Sequence, residues 1–120
     1  MTVASVTTAK TYSELDYELS NNDALLSAVF TCTFADLYEA TGVACDFTDG
    51  TTDDHDFGTV YYVSVSTNDG YVIEYDLANE VFLFYWCDYD AVADGALMAL
   101  TATTDITNVV ATVHVLGTRA

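Results

Sequence analysis

Hydrophobic and polar positions alternate along much of this chain with a period of two, the spacing at which side chains of an extended strand share a face. The clearest case is 28–34, where Ala28, Phe30, Cys32 and Phe34 fall on one side and Val29, Thr31 and Thr33 on the other. That order predicts a strand with one greasy face. Residues 81–87 alternate as well, but Val81, Leu83, Tyr85 and Cys87 oppose Phe82, Phe84 and Trp86, so both faces are apolar. A strand apolar on both sides belongs in the middle of a sheet.

The same reading predicts a first strand over 1–8, ended near Lys10, and a short strand over 43–47. Ser13, with Glu14 and Asp16 behind it, predicts a short helix to residue 19, capped by the serine and favoured by negative charge in its first turn. Residues 36–40, closed by Gly42, predict one or two further helical turns. β-branched and aromatic runs at 59–67 and 71–76 flank Asn68, Asp69 and Gly70, which is the strongest hairpin signal in the chain. A turn at 77–79 leads into the central strand, and 96–103 with 108–116 read as a closing pair of strands around 104–107. The expected fold is one domain over 1–120, mainly β. It is an antiparallel β-sandwich or barrel, jelly-roll-like, of about seven or eight strands with one or two short helices.

Composition sharpens this. A chain of 120 residues is one domain's worth, and 52% hydrophobic content with nine Tyr, six Phe and one Trp supplies a core that disordered acidic chains lack. Against 19 acidic residues stand only Lys10 and Arg119, for a net charge of −17. Almost no cation is available to displace counterions from a polyanion, so binding to nucleic-acid phosphates is excluded, and attraction to anionic membranes fails for the same reason. The longest uncharged runs, 24–35 and 106–118, are broken by Thr, Ser or Asn and fall short of the roughly 18 apolar residues of a membrane-spanning helix. Residues 1–10 lack a basic region followed by a continuous apolar one, so no secretory signal is expected there. Cys32, Cys45 and Cys87 match neither a Cys-x-x-Cys site nor a disulfide framework, and free buried thiols are expected.

Candidate chemistry concentrates in 46–56, an eleven-residue stretch with five Asp. Asp49, Asp53, Asp54 and Asp56, with His55 among them, are candidate metal ligands, since Ca²⁺ takes carboxylate oxygens from flexible loops. Their spacing departs from the EF-hand, and a solvated acidic loop is the competing reading. Asp88, Asp90 and Asp94 repeat the situation more thinly. His114, between Val113 and Val115, reads as a surface or interface residue. A Cys32 or Cys87 nucleophile paired with either histidine needs the fold to bring the two together, and a zinc site needs three or four clustered ligands. The chain lacks a Gly-x-Ser-x-Gly elbow, a phosphate-binding glycine loop and a dinucleotide fingerprint. It is therefore expected to be no enzyme, with no catalytic or cofactor-binding residue. Phe82, Phe84 and Trp86, with Tyr61, Tyr62, Tyr71, Tyr75, Tyr85 and Tyr89, read as core packing, a ligand platform being the alternative.

Soluble β-proteins guard exposed strand edges with Lys, Pro or inward-pointing charge. This chain has no Pro and one Lys, and its strands over 59–68 and 106–118 carry no such guard. A homo-oligomer, or a protein docked onto an assembly, is the expectation. The Thr/Val-rich opening and the closing stretch Thr-Asp-Ile-Thr-Asn-Val-Val-Ala-Thr-Val-His-Val-Leu-Gly-Thr at 104–118 resemble the small structural proteins of tailed bacteriophages, in particular capsid decoration or cement proteins. The resemblance implies a β-rich virion module, often trimeric, made in the host cytoplasm and seated on the outer capsid surface. There it would clamp neighbouring major capsid proteins by non-covalent contacts, with no catalytic residues. Three alternatives stand beside it: an acidic DNA mimic inhibiting a nucleic-acid-binding enzyme, a tail or filament subunit, and a halophile-adapted binding domain.

Overall fold

The computed structural model describes residues 4–16, 25–48, 57–86 and 98–119, with the side chains of 12–16 and 119 outside the description. Its strands are β1 (Ser5–Asp16), β2 (Leu25–Ala35), β3 (Val43–Ala44), β4 (Phe57–Thr67), β5 (Val72–Asp76), β6 (Val81–Trp86), β7 (Met98–Ala99) and β8 (Val110–Arg119). They form an antiparallel β-sandwich. One sheet has the order β1-β2-β8-β4; the other has β3-β6-β5, with β7 also pairing β6.

The alternation in β2 explains the sandwich. Ala28, Phe30, Cys32 and Phe34 are all fully buried, as are Val113 and Val115 on the adjoining strand β8. From the second sheet, Phe82 and Phe84 of β6 meet them. Phe34 packs edge-on against both, with ring centroids 5.4 Å and 4.8 Å away. Phe47, entering after β3, fills the space against Phe30 at 5.1 Å. Edge-to-face pairs of this kind add about 0.5–1.5 kcal/mol each beyond the area they bury.

β6 is central, as its two apolar faces require. β5 lines one side, with Val72 opposite Tyr85 and Asp76 opposite Val81. The other side is shared by β3, against Val81 and Phe82, and β7, against Tyr85 and Trp86. Between those two short strands the Phe84 N–H donates to the buried Tyr38 hydroxyl at 3.1 Å, and the Phe84 carbonyl accepts from Leu100 N–H at 2.9 Å. A side chain thus completes the ladder where no strand does, as buried backbone groups demand.

Neither expected helix forms among the described residues. Ser13 to Asp16 continue β1, paired with 25–28 beyond a bulge at Thr11. Pairing along the whole of β2 outweighs a local capping preference. The 36–40 segment turns instead through Asp36, at φ 68°, and is held to the 101–108 segment by Tyr38 N–H to Thr104 O and Ile106 N–H to Asp36 O. Gly42, at φ 94°, closes the turn that follows, and a Cβ there would meet the Phe82 carbonyl at 2.8 Å.

Two expected strand pairs also separate. Asn68-Asp69-Gly70 does reverse the chain, but β4 pairs β8 in the first sheet while β5 pairs β6 in the second. The turn is a crossing between sheets, and the true hairpin is β5–β6. Likewise the closing strands part, β7 joining β6 and β8 lying between β2 and β4.

Candidate functional site

The candidate metal ligands Asp49, Asp53, Asp54 and Asp56, with His55, lie outside the described residues, as do Cys87, Asp88, Tyr89, Asp90 and Asp94. Among the described residues no group of three or more His, Cys, Asp or Glu side chains is gathered to hold a metal ion.

Several described carboxylates build turns. Asp76 Oδ1 accepts from the N–H groups of Ala78 and Asn79, and Oδ2 accepts from Asn79 Nδ2 at 2.8 Å. Asp105 Oδ1 takes both the N–H and the hydroxyl of Thr107, and Asp46 Oδ1 does the same with Thr48. These are the short loops that Asx side chains favour. The Asn79 amide holds the Asp76 carboxyl below its usual range, and the Thr107 hydroxyl does so for Asp105. Glu80 moves the opposite way, raised by its hydrogen bond to Asp46 and by that neighbour's charge. The acidity at these positions serves chain reversal.

The Cys32 thiol is a poor nucleophile. Cys32 and Cys45 are buried and in no disulfide, and burial pushes the Cys32 thiol up to about 12. The thiolate is the reactive form, so Cys32 is inert near neutrality. Cys32 projects into the core whereas His114 takes the opposite face of the same sheet, half-buried, so the two do not form a pair.

The described aromatic residues divide between the core, its margin and the exposed bulge of β4. Phe82 and Phe84 are core, Tyr71, Tyr75 and Trp86 pack against it, and Tyr61 and Tyr62 stand 59% and 54% exposed. Tyr75 donates its hydroxyl to the Cys45 carbonyl at 2.5 Å, and burial drives its phenol above the ordinary range. They form no single platform.

What the sheet does assemble is a broad face. On the side of β1-β2-β8-β4 away from the core, register places Ala9, Thr31, Thr112 and Ser66 in one row across the strands. Val29, His114 and Ser64 lie in the next, then Ser27, Leu116 and Tyr62. Thr7, Thr33 and Val110 continue it on the other side. At the β1 margin the register adds Glu14, opposite Ser27, and Asp16, opposite Leu25; across β2, β8 and β4 none of these residues is a carboxylate, on a chain of net charge −17. Ser27 Oγ and His114 Nε2 lie 2.7 Å apart near its middle, joining β2 to β8. No family model, curated protein or solved structure matches this chain. Its function is therefore argued from this geometry.

The sheet edges differ from expectation. The 106–118 run needs no guard, because β8 is an interior strand. The edges of the larger sheet are β1 and β4, and both are bulged: β1 at Thr11, and β4 between Phe57 and Thr59 and again between Val60 and Tyr62. Lys10, opposite buried Phe30, lies on the core-side register of β1, an inward-pointing charge. Bulges and inward charge are edge-blunting devices that composition alone conceals. The face was partly legible, since the Thr positions of β2 oppose its buried ones. Its breadth depends on knowing that β8 sits between β2 and β4.

Proposed function

We propose that this chain is a virion structural protein, a capsid decoration or cement module that seats on the outer capsid surface and stabilises the shell by non-covalent contacts. The observation that carries this reading is the face of β2, β8 and β4, free of carboxylates apart from the Glu14 and Asp16 positions at the β1 margin, on a chain whose other described carboxylates sit largely in turns. Its Thr, Ser and Val part buries against a partner without desolvating charge, which otherwise costs several kcal/mol per ion. Its hydroxyls offer the hydrogen bonds that a polar, partly wet interface uses. Four strands at about 4.8 Å spacing and a length of about nine residues give a plan area of roughly 600 Å². That is of the order of the ~800 Å² that each partner contributes to a standard interface.

In this role the acidic turns form the solvent rim, keeping the module soluble and directing contact to the neutral face. The partners are the major capsid protein or other virion proteins, with further copies of this chain in a homo-oligomer such as a trimer. No catalytic step is assigned. The test is addition of the purified protein to undecorated shells. Saturable, stoichiometric binding that raises heat and osmotic resistance is expected, and Thr112→Glu, at the middle of the face, is expected to weaken it at least tenfold. No binding, or binding that leaves resistance unchanged, sinks the proposal.

A further inference from the structure

The split between β4 and β5 leaves a seam along one side of the sandwich. Both are edge strands: β4 pairs only β8 and β5 pairs only β6 among the described residues, so each presents its second backbone edge to the gap. The seam is closed at one end by the 68–70 turn and at the other by the Phe57 N–H bond to the Phe47 carbonyl. Two clefts run along it. One of about 440 Å³ lies between Val63, Val65 and the 72–75 stretch, and one of about 220 Å³ lies beside Val60, Tyr75 and Leu77. Tyr75 borders both, so the two clefts follow one another as a track along the seam.

The core is unfinished along this track. Val63 and Val65 pair with Val115 and Val113 in the same rows, on the same face. The β8 valines are fully buried, whereas the β4 valines are only half-buried. β5 of the second sheet lies beside β4, yet the β4 valines stay half-buried. A strand laid along this open edge covers that row of valines, and added strands gain both main-chain hydrogen bonds and alternate side-chain pockets.

We propose that the seam between β4 and β5 takes an extended segment of a partner protein, small and apolar at alternate positions and carrying a Lys or Arg at the end beside Asp46 and Glu80. Charge decides the occupant. Asp46 and Glu80 line one end of the track, Glu74 its side, and Asp69 sits in the turn at the other end. A second copy of this chain, with 19 acidic and two basic residues, brings like charge to those positions. A basic strand brings the opposite charge to the neighbouring Asp46 and Glu80, whose shared hydrogen bond and like charge raise Glu80. This surface is distinct from the outer sheet face and does not depend on the role proposed for that face.

The probes are two octapeptides alternating valine and threonine, one with a lysine at its N-terminus and one at its C-terminus, titrated calorimetrically and followed by amide hydrogen exchange. One of them is expected to bind saturably and to slow exchange in β4 and β5 together. Val72→Lys, on the exposed rim, is expected to weaken binding at least tenfold while exchange in β2 and β8 stays native. Glu80→Gln is expected to weaken the lysine peptide several-fold and to leave a lysine-free peptide unaffected. The proposal is overturned by no saturable binding of either peptide up to millimolar concentration, or by protection confined to β1 or the outer face. Protection of β4 and β5 that rises with protein concentration alone also overturns it, because that assigns the seam to a second copy.

Discussion

Phe84 concentrates the logic of single residues in this protein. Its ring is fully buried against Phe34, Tyr38 and Tyr71, while its backbone closes the gap between β3 and β7 through Tyr38 and Leu100. Phe84→Ala is expected to cost about 3–5 kcal/mol, read as a lower urea midpoint at unchanged slope. Its place in the core was legible, because the 81–87 alternation puts it opposite Leu83 and Tyr85. Its hydrogen bond to Tyr38 was not, since that residue lies in a stretch that reads as helical. The turn carboxylates make a second prediction. Asp76, depressed in the folded state, contributes stability that is present above the ordinary carboxyl value and lost as pH falls through the depressed one. Glu80, raised, contributes stability that is present below the ordinary value and lost as pH rises through the raised one. Urea midpoints between pH 2 and 7 should therefore fall less steeply below about pH 4 in Asp76→Asn. In Glu80→Gln they should lose the decline on going up from about pH 4 to pH 6.

At the scale of elements, periodicity located β2, β4, β5, β6 and β8, while the strand read over 96–103 is only Met98–Ala99 and the strand partners were misread. Asn68-Asp69-Gly70 specifies a reversal of direction, but pairing is settled by what each strand finds to cover. β4 completes the edge beside β8, while β5 joins β6 over the phenylalanine cluster. The same limit explains β7 and β8. The helix readings failed because Ser13-x-x-Asp16 and 36–40 carry good local signals that long-range pairing overrides. Gly117 shows how closely such pairing fits. It faces the bulged part of β4, where a Cβ would lie 2.0 Å from the Thr59 carbonyl oxygen. Gly70, at φ 89°, has open space around its missing Cβ. Gly117→Ala is expected to cost about 3 kcal/mol, by forcing the bulge open, and to speed amide exchange in β4. Gly70→Ala is expected to cost about 1 kcal/mol, from backbone strain alone. Equal losses by denaturant titration would show that the bulge yields freely.

Across the whole molecule, charge and surface are partitioned. Described carboxylates gather at the turns around Asp46, Asp69, Asp76 and Asp105, and the outer face of β2, β8 and β4 is left mainly to Thr, Ser, Val and His114, with Glu14 and Asp16 only at its β1 margin. The charge of −17 was legible at once, and with it the expectation that polyanionic partners are disfavoured. The face it leaves bare was not, because that requires the order β1-β2-β8-β4, which no local pattern encodes. The candidate ligands Asp49, Asp53, Asp54 and Asp56 fall outside the described residues, which leaves the face to carry the proposed role. In that role this face is what meets the virion. Hydrogen exchange of the protein bound to shells, compared with the free protein, tests that directly. The account predicts added protection across the sheet made by β1, β2, β8 and β4, with exchange in the turns around Asp76 and Asp105 unchanged. Protection confined to those acidic turns, with the sheet exchanging as in the free protein, would contradict it.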